Sequence, residues 1–499
     1  MPAFNTFSHA LKRSLVPLGL VLTSLTAAQA ATIVITSRDA AGVGFNDTTP
    51  VAPVGGNPGT TLGEQRFNVY RRGADIWEQA LQSNVTINVS AGWEALSCTA
   101  NSATLGSAGA WNIWHSFAGG VPGTWYPQAL AHKLAGIDLT DGTPVTGTNY
   151  DNADIKTQFN VNLGKTGCLT GTTFYLGYTG FNGTGVNFLT TLLHELGHGL
   201  GFSVLSVSTA TGNRINAEGT AFTPTGLPSI WEGFMYDNTV GKSWLTMTAA
   251  ERKASAINPL KLVWTGNNAV VGAAATLRGT PVVRVTSPVP GATGAYDYGA
   301  ALFGPAITVP SALGKLAAPA DSGIFEGCTA GAFTQAVINK IAGKVAIIDR
   351  GSCTFVVKVK LAQVAGASAV LIADNVAAAI SGLGGADPSI NIPSARISQA
   401  SGVTLKAAVV AAPKYGSRST AGAVTASWGA DNSRIAGADS IGRPLLYTPN
   451  PLQPGSSVSH WDVTATPNLL MEPAISSDLT TTLVPPKDLT VPLLKDLGW

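Results

Sequence analysis

The chain has 499 residues, of which 12% are charged and 45% hydrophobic, with 57 Gly and 29 Pro. That length suits about three domains, and the apolar content excludes a disordered chain. The formal charge is +2, and without two basic residues of an N-terminal leader, Lys12 and Arg13, 28 basic residues balance 28 acidic ones, so nothing electrostatic points to nucleic acid or an anionic membrane.

Lys12 and Arg13 precede an apolar run from Leu15 to Leu25, and Ala28-Gln29-Ala30 has the small residues of a cleavage site. Residues 1–30 therefore read as a signal peptide, and the mature chain is expected to start near Ala31 and to be exported to periplasm or medium. The apolar run is too short for a membrane span, and no later segment offers about 18 uninterrupted apolar residues. In an exported chain four cysteines, Cys98, Cys168, Cys328 and Cys353, favour two disulfides over a metal cluster. Three pairings exist; keeping each bridge inside one domain favours Cys98–Cys168 and Cys328–Cys353.

In chain order, Thr32–Thr36 reads as a first strand, and a Gly/Pro/Thr-rich loop follows to about Leu62. Phe67, Tyr70, Ala74, Trp77 and Leu81 recur at helical spacing, which predicts a helix over 63–82. Val85, Ile87 and Val89 alternate with polar residues, which predicts a half-buried strand. From Gly92 to Thr184 the chain is rich in Gly, Asn and Thr, with short strand-like runs such as Thr173–Gly177.

Then comes Thr191-Leu-Leu-His194-Glu195-Leu-Gly-His198-Gly-Leu-Gly201. On a helix His194 and His198 share a face and can offer two imidazoles to one metal ion, with Glu195 one position round, within reach of a metal-bound water. Leu189, Leu193, Leu196 and Leu200 form an apolar stripe on the opposite side. The chemistry this pattern supports is zinc-assisted hydrolysis, in which a carboxylate takes the proton of a zinc-bound water as it attacks a carbonyl. Among only six histidines, His115, beside Trp114, and His132, in an apolar helix-like run, read as packing or surface residues.

Asn213 to Lys242 reads as irregular. Thr248-x-x-Glu251 is a capping box opening a short helix that stops at Asn258-Pro259. Beyond Trp264 the composition shifts to Val, Ala and Gly. Lys344–Ile348 and Ala369–Ala373 read as buried strands flanking a helix marked by Val357, Leu361 and Val364, a βαβ pattern. The run Gly343-Lys-Val-Ala-Ile-Ile-Asp-Arg-Gly-Ser-Cys-Thr-Phe355, the Ala-Gln-x-Ala-Gly end of that helix and Ile392-Pro-Ser394 together resemble the protease-associated (PA) domain over 281–411. The resemblance implies a non-catalytic insert that modulates substrate access or binding. A Gly/Ser-rich connector spans 413–443, and a helix is predicted over 488–497 with Gly498 past its end.

Catalytic zinc usually takes three protein ligands. The common extension of the motif would place a third histidine at 204, which is Val204, so another residue must close the site. Glu232, Asp237 and His460 are chemically able. His460, in His460-Trp-Asp462 with Met471 shortly after it, resembles the leishmanolysin-like branch of the metzincin peptidases. That resemblance implies His194, His198 and His460 as ligands, Glu195 as base and Met471 as the Met-turn residue; Asp237 remains the fallback ligand. Asp462 is either a partner orienting an imidazole or a turn residue.

The expected fold is α+β. A zincin/metzincin-like catalytic domain is built from 31–264 and 441–499, with an inserted region, 265–440, carrying the α/β PA domain. The expected activity is that of a secreted zinc metallopeptidase, an endopeptidase rather than an exopeptidase, acting on protein or peptide. The alternative is a catalytically inactive exported binding protein of the same architecture. One catalytic Zn2+ is the implied cofactor; Ca2+ occurs in such folds, but the acidic residues show no calcium-loop spacing.

Overall fold

The structure is a computed structural model that describes residues 29–181, 185–378, 380–413, 422–476 and 478–499. Residues 1–28, on which the expected signal peptide falls, and connector residues 414–421 lie outside the described residues.

The first body is a sheet covered on one face by helices. Strand β1 (Ile33–Ser37) leads to helix α1 (Leu62–Ala80), whose N-terminus Thr61 and Glu64 close with a capping box. Strand β2 (Ile87–Glu94) pairs in parallel with β1. Val85 lies outside it and the strand is buried along most of its length, because it is a central strand and not the half-buried one its alternation suggested. Strand β3 (Gly106–Ala110) precedes a two-residue pair, β4 (Ile113–Trp114) and β5 (Tyr126–Pro127), and helix α2 (Gln128–Ala135). Strand β6 (Ile155–Asn160) then inserts between β2 and β3, parallel to β2 and antiparallel to β3. The order β1-β2-β6-β3 leaves β3 at the edge. Short strands β7 (Phe174–Tyr175) and β8 (Val186–Asn187) lead into helix α3 (Phe188–Gly199).

Helices α1 and α3 pack closely because Gly73 lets them approach: a Cβ there would lie 2.7 Å from Leu192 Cδ2. All twelve residues of α3 are buried. Leu189 and Leu192 face Gly73 of α1, Phe188 and Gly199 meet the sheet at Trp93, Phe159 and Ile155, and the returning segment with Leu470 and Met471 covers His194 and Gly197. Helices α4 (Ala249–Ser255), with the expected capping box, and α5 (Asn267–Thr276) follow.

Seven strands then close a barrel, in the order Gly279–Thr286, Gly294–Ala300, Ser394–Ile397, Ala369–Ala373, Val345–Asp349, Ser311–Ala317, Thr425–Ile435. Val345–Asp349 and Ala369–Ala373 are parallel and separated by helix Phe355–Val364. Val345 and Ile347 face the barrel interior cluster, while Ala346 and Ile348 face the helix, so the strand is apolar at its first four positions. Thr425–Ile435 reads as connector in the sequence, but it is an eleven-residue strand pairing with both neighbours; its run of small residues hides the alternation.

The composition shift after Trp264 does not coincide with the start of the barrel. Ala269, Ala273 and Leu277 of α5 and the turn after it belong to the first core together with Leu489, Leu493 and Leu494, and α5 packs on the C-terminal helix Thr490–Leu497. Asp496 of that helix accepts hydrogen bonds from the amides of Asn268 and Ala269 at the start of α5. Both disulfides form as the domain logic expected, Cys98–Cys168 and Cys328–Cys353. No helix among the described residues is long and apolar enough to cross a membrane.

Candidate metal centre

Asn187 opens α3, its side chain accepting from the amides of Leu189 and Thr190. The helix ends in a Schellman motif: Gly201 N–H donates to His198 O and Phe202 N–H to Gly197 O. Gly201 stands at φ 120°, a left-handed value that glycine takes without strain. The turn brings the Phe202 carbonyl back onto the helix, where it lies 2.7 Å from His198 Nδ1.

The same device recurs at the other two histidines. His194 Nδ1 lies 2.7 Å from Leu470 O, and His460 Nδ1 lies 2.8 Å from Ser456 O. A carbonyl can only accept, so each Nδ1 carries the proton and each Nε2 presents a lone pair. These lone pairs converge: His198 Nε2 is 3.1 Å from His194 Nε2 and 3.1 Å from His460 Nε2. Among the described residues, His194, His198 and His460 are the group able to hold a metal ion, and all three are buried. Burial holds the His194 imidazole down at about 4 and His460 at about 3, and depresses His198 well below the ordinary value, so the rings are neutral near pH 7. Three neutral lone pairs aimed at one point repel unless a cation lies between them. Tetrahedral zinc, with Zn–N bonds of 2.0–2.1 Å, sets its nitrogens about 3.3 Å apart, so the donor set fits.

Glu195 is buried, and desolvation pushes its carboxyl up to about 8, opposed by a hydrogen bond from the Ala108 amide. That amide belongs to β3. The β3–β6 ladder fixes its direction: Asn160 N–H donates to Leu105 O and Trp111 N–H to Asp154 O, so odd-numbered residues of β3 turn their polar groups to β6. Gly106, Ala108 and Ala110 turn theirs to the open edge. Gly106 permits the close approach, since a Cβ there would lie 3.2 Å from Glu195 Cγ.

Met471 lies beneath the helix, fully buried, its sulfur 2.8 Å from where a Cβ on Gly197 would stand. Its turn is held by buried carboxyls: Leu470 N–H donates to Asp488 and Leu469 N–H to Glu472. Sequence reasoning missed Ala108, Phe202, Ser456, Leu470 and Asp488, four of which act through backbone groups that carry no residue-type signal.

Asp237 is not part of the group. Its carboxylate accepts from Ser255 Oγ at 2.6 Å and from the Thr239 amide at 2.7 Å, tying α4 to a hairpin. Glu232 is likewise engaged, by Ser206 and Arg214 and in its own capping box. Asp462 accepts from Thr464 N–H and Oγ1; it is the turn residue, because carbonyls rather than carboxylates orient the imidazoles. His115 bridges Ser116 and the Ala217 carbonyl, and His132 lies 3.0 Å from buried Asp154.

Residues 312–405 match the family model of the PA domain, inside the barrel. No curated protein matches. Among solved structures, a zinc aminopeptidase from Bacillus subtilis aligns at 19% identity and TM-score 0.20, over 32% of this chain and 34% of its own. An aminopeptidase from Aneurinibacillus sp. strain AM-1 aligns at 18% identity and TM-score 0.21, over 41% and 42%. The chain thus spans less than half the length of the structures it matches.

Proposed function

We propose that this chain is an exported zinc metallopeptidase of the metzincin type, its catalytic domain split by an inserted PA domain, and that it cuts peptide bonds within proteins. The observation that carries the reading is the convergence of three buried, proton-free Nε2 atoms beside a buried carboxylate at the open edge of a sheet. His194, His198 and His460 would hold the ion. When bound, zinc supplies Lewis-acid polarisation and lowers the pKa of its water to about 7.

The chain's own groups do the rest. A substrate in extended form pairs with the outward N–H groups of Gly106 and Ala110 and the outward C=O groups of β3, as an added strand does on a free edge, while the Ala108 N–H stays on Glu195. That pairing engages several residues of backbone on the substrate, which suits cleavage within a chain. With a cation held beside it the Glu195 carboxyl stays ionised despite its burial; it takes the proton of the attacking water and then delivers it to the leaving amine, so no covalent intermediate forms on the protein. Its buried site keeps competing water from the carboxylate. The leader-like residues 1–30 support export, and the PA-like barrel supports a role in admitting or holding substrate.

The test is hydrolysis of labelled casein by purified mature protein, beside Glu195→Ala and a chelator control. Cleavage that needs zinc and Glu195 is the expected result. Zinc retained without any cleavage of casein or dipeptide amides would instead favour the binding-protein alternative, and cleavage of the amides alone an exopeptidase.

A further inference from the structure

The outer face of β3 carries side chains that the hydrolytic reading leaves unused. Gly109 points away from α3, and a Cβ built on it would meet nothing within 4 Å. Across the ladder Gly109 pairs with Lys156 of β6, which lies on the outer, half-buried face of that strand. The Lys156 ammonium sits 4.7 Å from the Trp111 ring centroid and 5.6 Å from that of Tyr150. The two rings meet edge to face at 5.5 Å, and Trp111 is 36% exposed. Among the described residues Lys156 is in no salt bridge. An ammonium is therefore held by two rings beside a gap in the edge strand.

We infer that Gly109, Lys156 and Trp111 form a specificity subsite for an acidic side chain of the peptide substrate; this rests on the peptidase reading above. A strand added beyond β3 lies two strand spacings, about 10 Å, from β6. Ordinarily the intervening side chain blocks contact across that distance. Gly109 has none, so a Glu on the added strand and Lys156 can meet over it, against Trp111. Because the neighbouring Ala108 amide meets Glu195, the position served lies within about 7 Å, or two residues, of the scissile bond.

The experiment uses internally quenched peptides in which Glu, Gln or Lys is walked through three positions on either side of the cut. Wild-type protein with zinc is expected to favour Glu over Gln about tenfold in kcat/KM at one position, with the preference shrinking as salt rises. Lys156→Gln should erase the preference, Gly109→Val should close the gap and do the same, and Lys156→Glu should turn the preference to Lys. Equal rates for Glu, Gln and Lys at every position would overturn the subsite alone, as would a Lys156→Gln variant slowed uniformly on all peptides. Wild-type protein that binds zinc but cuts none of the peptides would overturn the peptidase reading and the subsite with it.

Discussion

Glu195 and Glu472 are both carboxyls pushed up to about 8 by burial, yet they serve different ends. Glu195 faces the open edge beside the imidazoles. Glu195→Gln keeps the shape but cannot take a proton, so zinc should stay bound at one per chain while kcat/KM falls by about 10²–10⁴-fold; metal analysis beside casein hydrolysis checks both. Glu472 holds the turn under the helix by accepting from Leu469 N–H. Its carboxyl is raised on folding from 4.5, so the stability it contributes is fully present below pH 4.5 and is lost as pH rises through about 8. Glu472→Gln retains an oxygen for the amide and removes the titration. Melting temperatures should therefore rise by several degrees at pH 8.5 and stay near wild type at pH 5; equal shifts at both values would contradict the assignment. The motif residues His194, Glu195 and His198 are legible in the sequence because side-chain type and helical spacing carry their chemistry. Asp237 is the fallback third ligand on paper, and its hydrogen bonds to Ser255 and Thr239 are what remove it.

At the scale of elements, α3 is defined by what closes its two ends. Asn187 caps the start, and Gly201 makes the turn that returns the Phe202 carbonyl to His198. Gly201→Val would force a branched residue to φ 120° and set its Cβ 2.9 Å from Pro127 Cγ. The carbonyl would move, and losing such an orienting partner typically costs 10–100-fold in metal affinity; competition titration with a zinc chelator should show that loss. A similar constraint lies before His460, where Val458 holds φ 70° while fully buried, a conformation a branched residue keeps only when its surroundings enforce it. At α1, Thr61→Ala breaks the capping box and should cost about 1 kcal/mol by denaturant unfolding. The helices α1, α3 and α4 were readable because periodicity and caps are local. The strands β3 and β6 were not: Gly106–Ala110 has small residues at every position, and its place at the edge depends on a partner some fifty residues away.

At the scale of the whole molecule, two bodies share one chain, and their apolar clusters are separate. The chain leaves and re-enters the first body at neighbouring points, since Ala436 N–H donates to Arg278 O at 2.9 Å. Replacing 279–435 by a two-glycine link should therefore leave a folded chain that binds one zinc, measurable by metal content and circular dichroism, while turnover of folded protein substrates falls more than that of short peptides. Loss of zinc binding on excision would show that the barrel braces the site. By itself the sequence determined the His-Glu-x-x-His helix and the βαβ pattern of the insert, because each is written in residue type at short spacing. It singles out His460 among the candidates only through resemblance, since the residue lies 262 positions from His198 and no local rule spans that separation. Tertiary structure alone decided that α5 belongs with the C-terminal helix, that backbone carbonyls orient all three imidazoles, and that β3 offers its open edge to Glu195. Each of these is a matter of which backbone groups face one another across the fold, and backbone groups are the same in every residue.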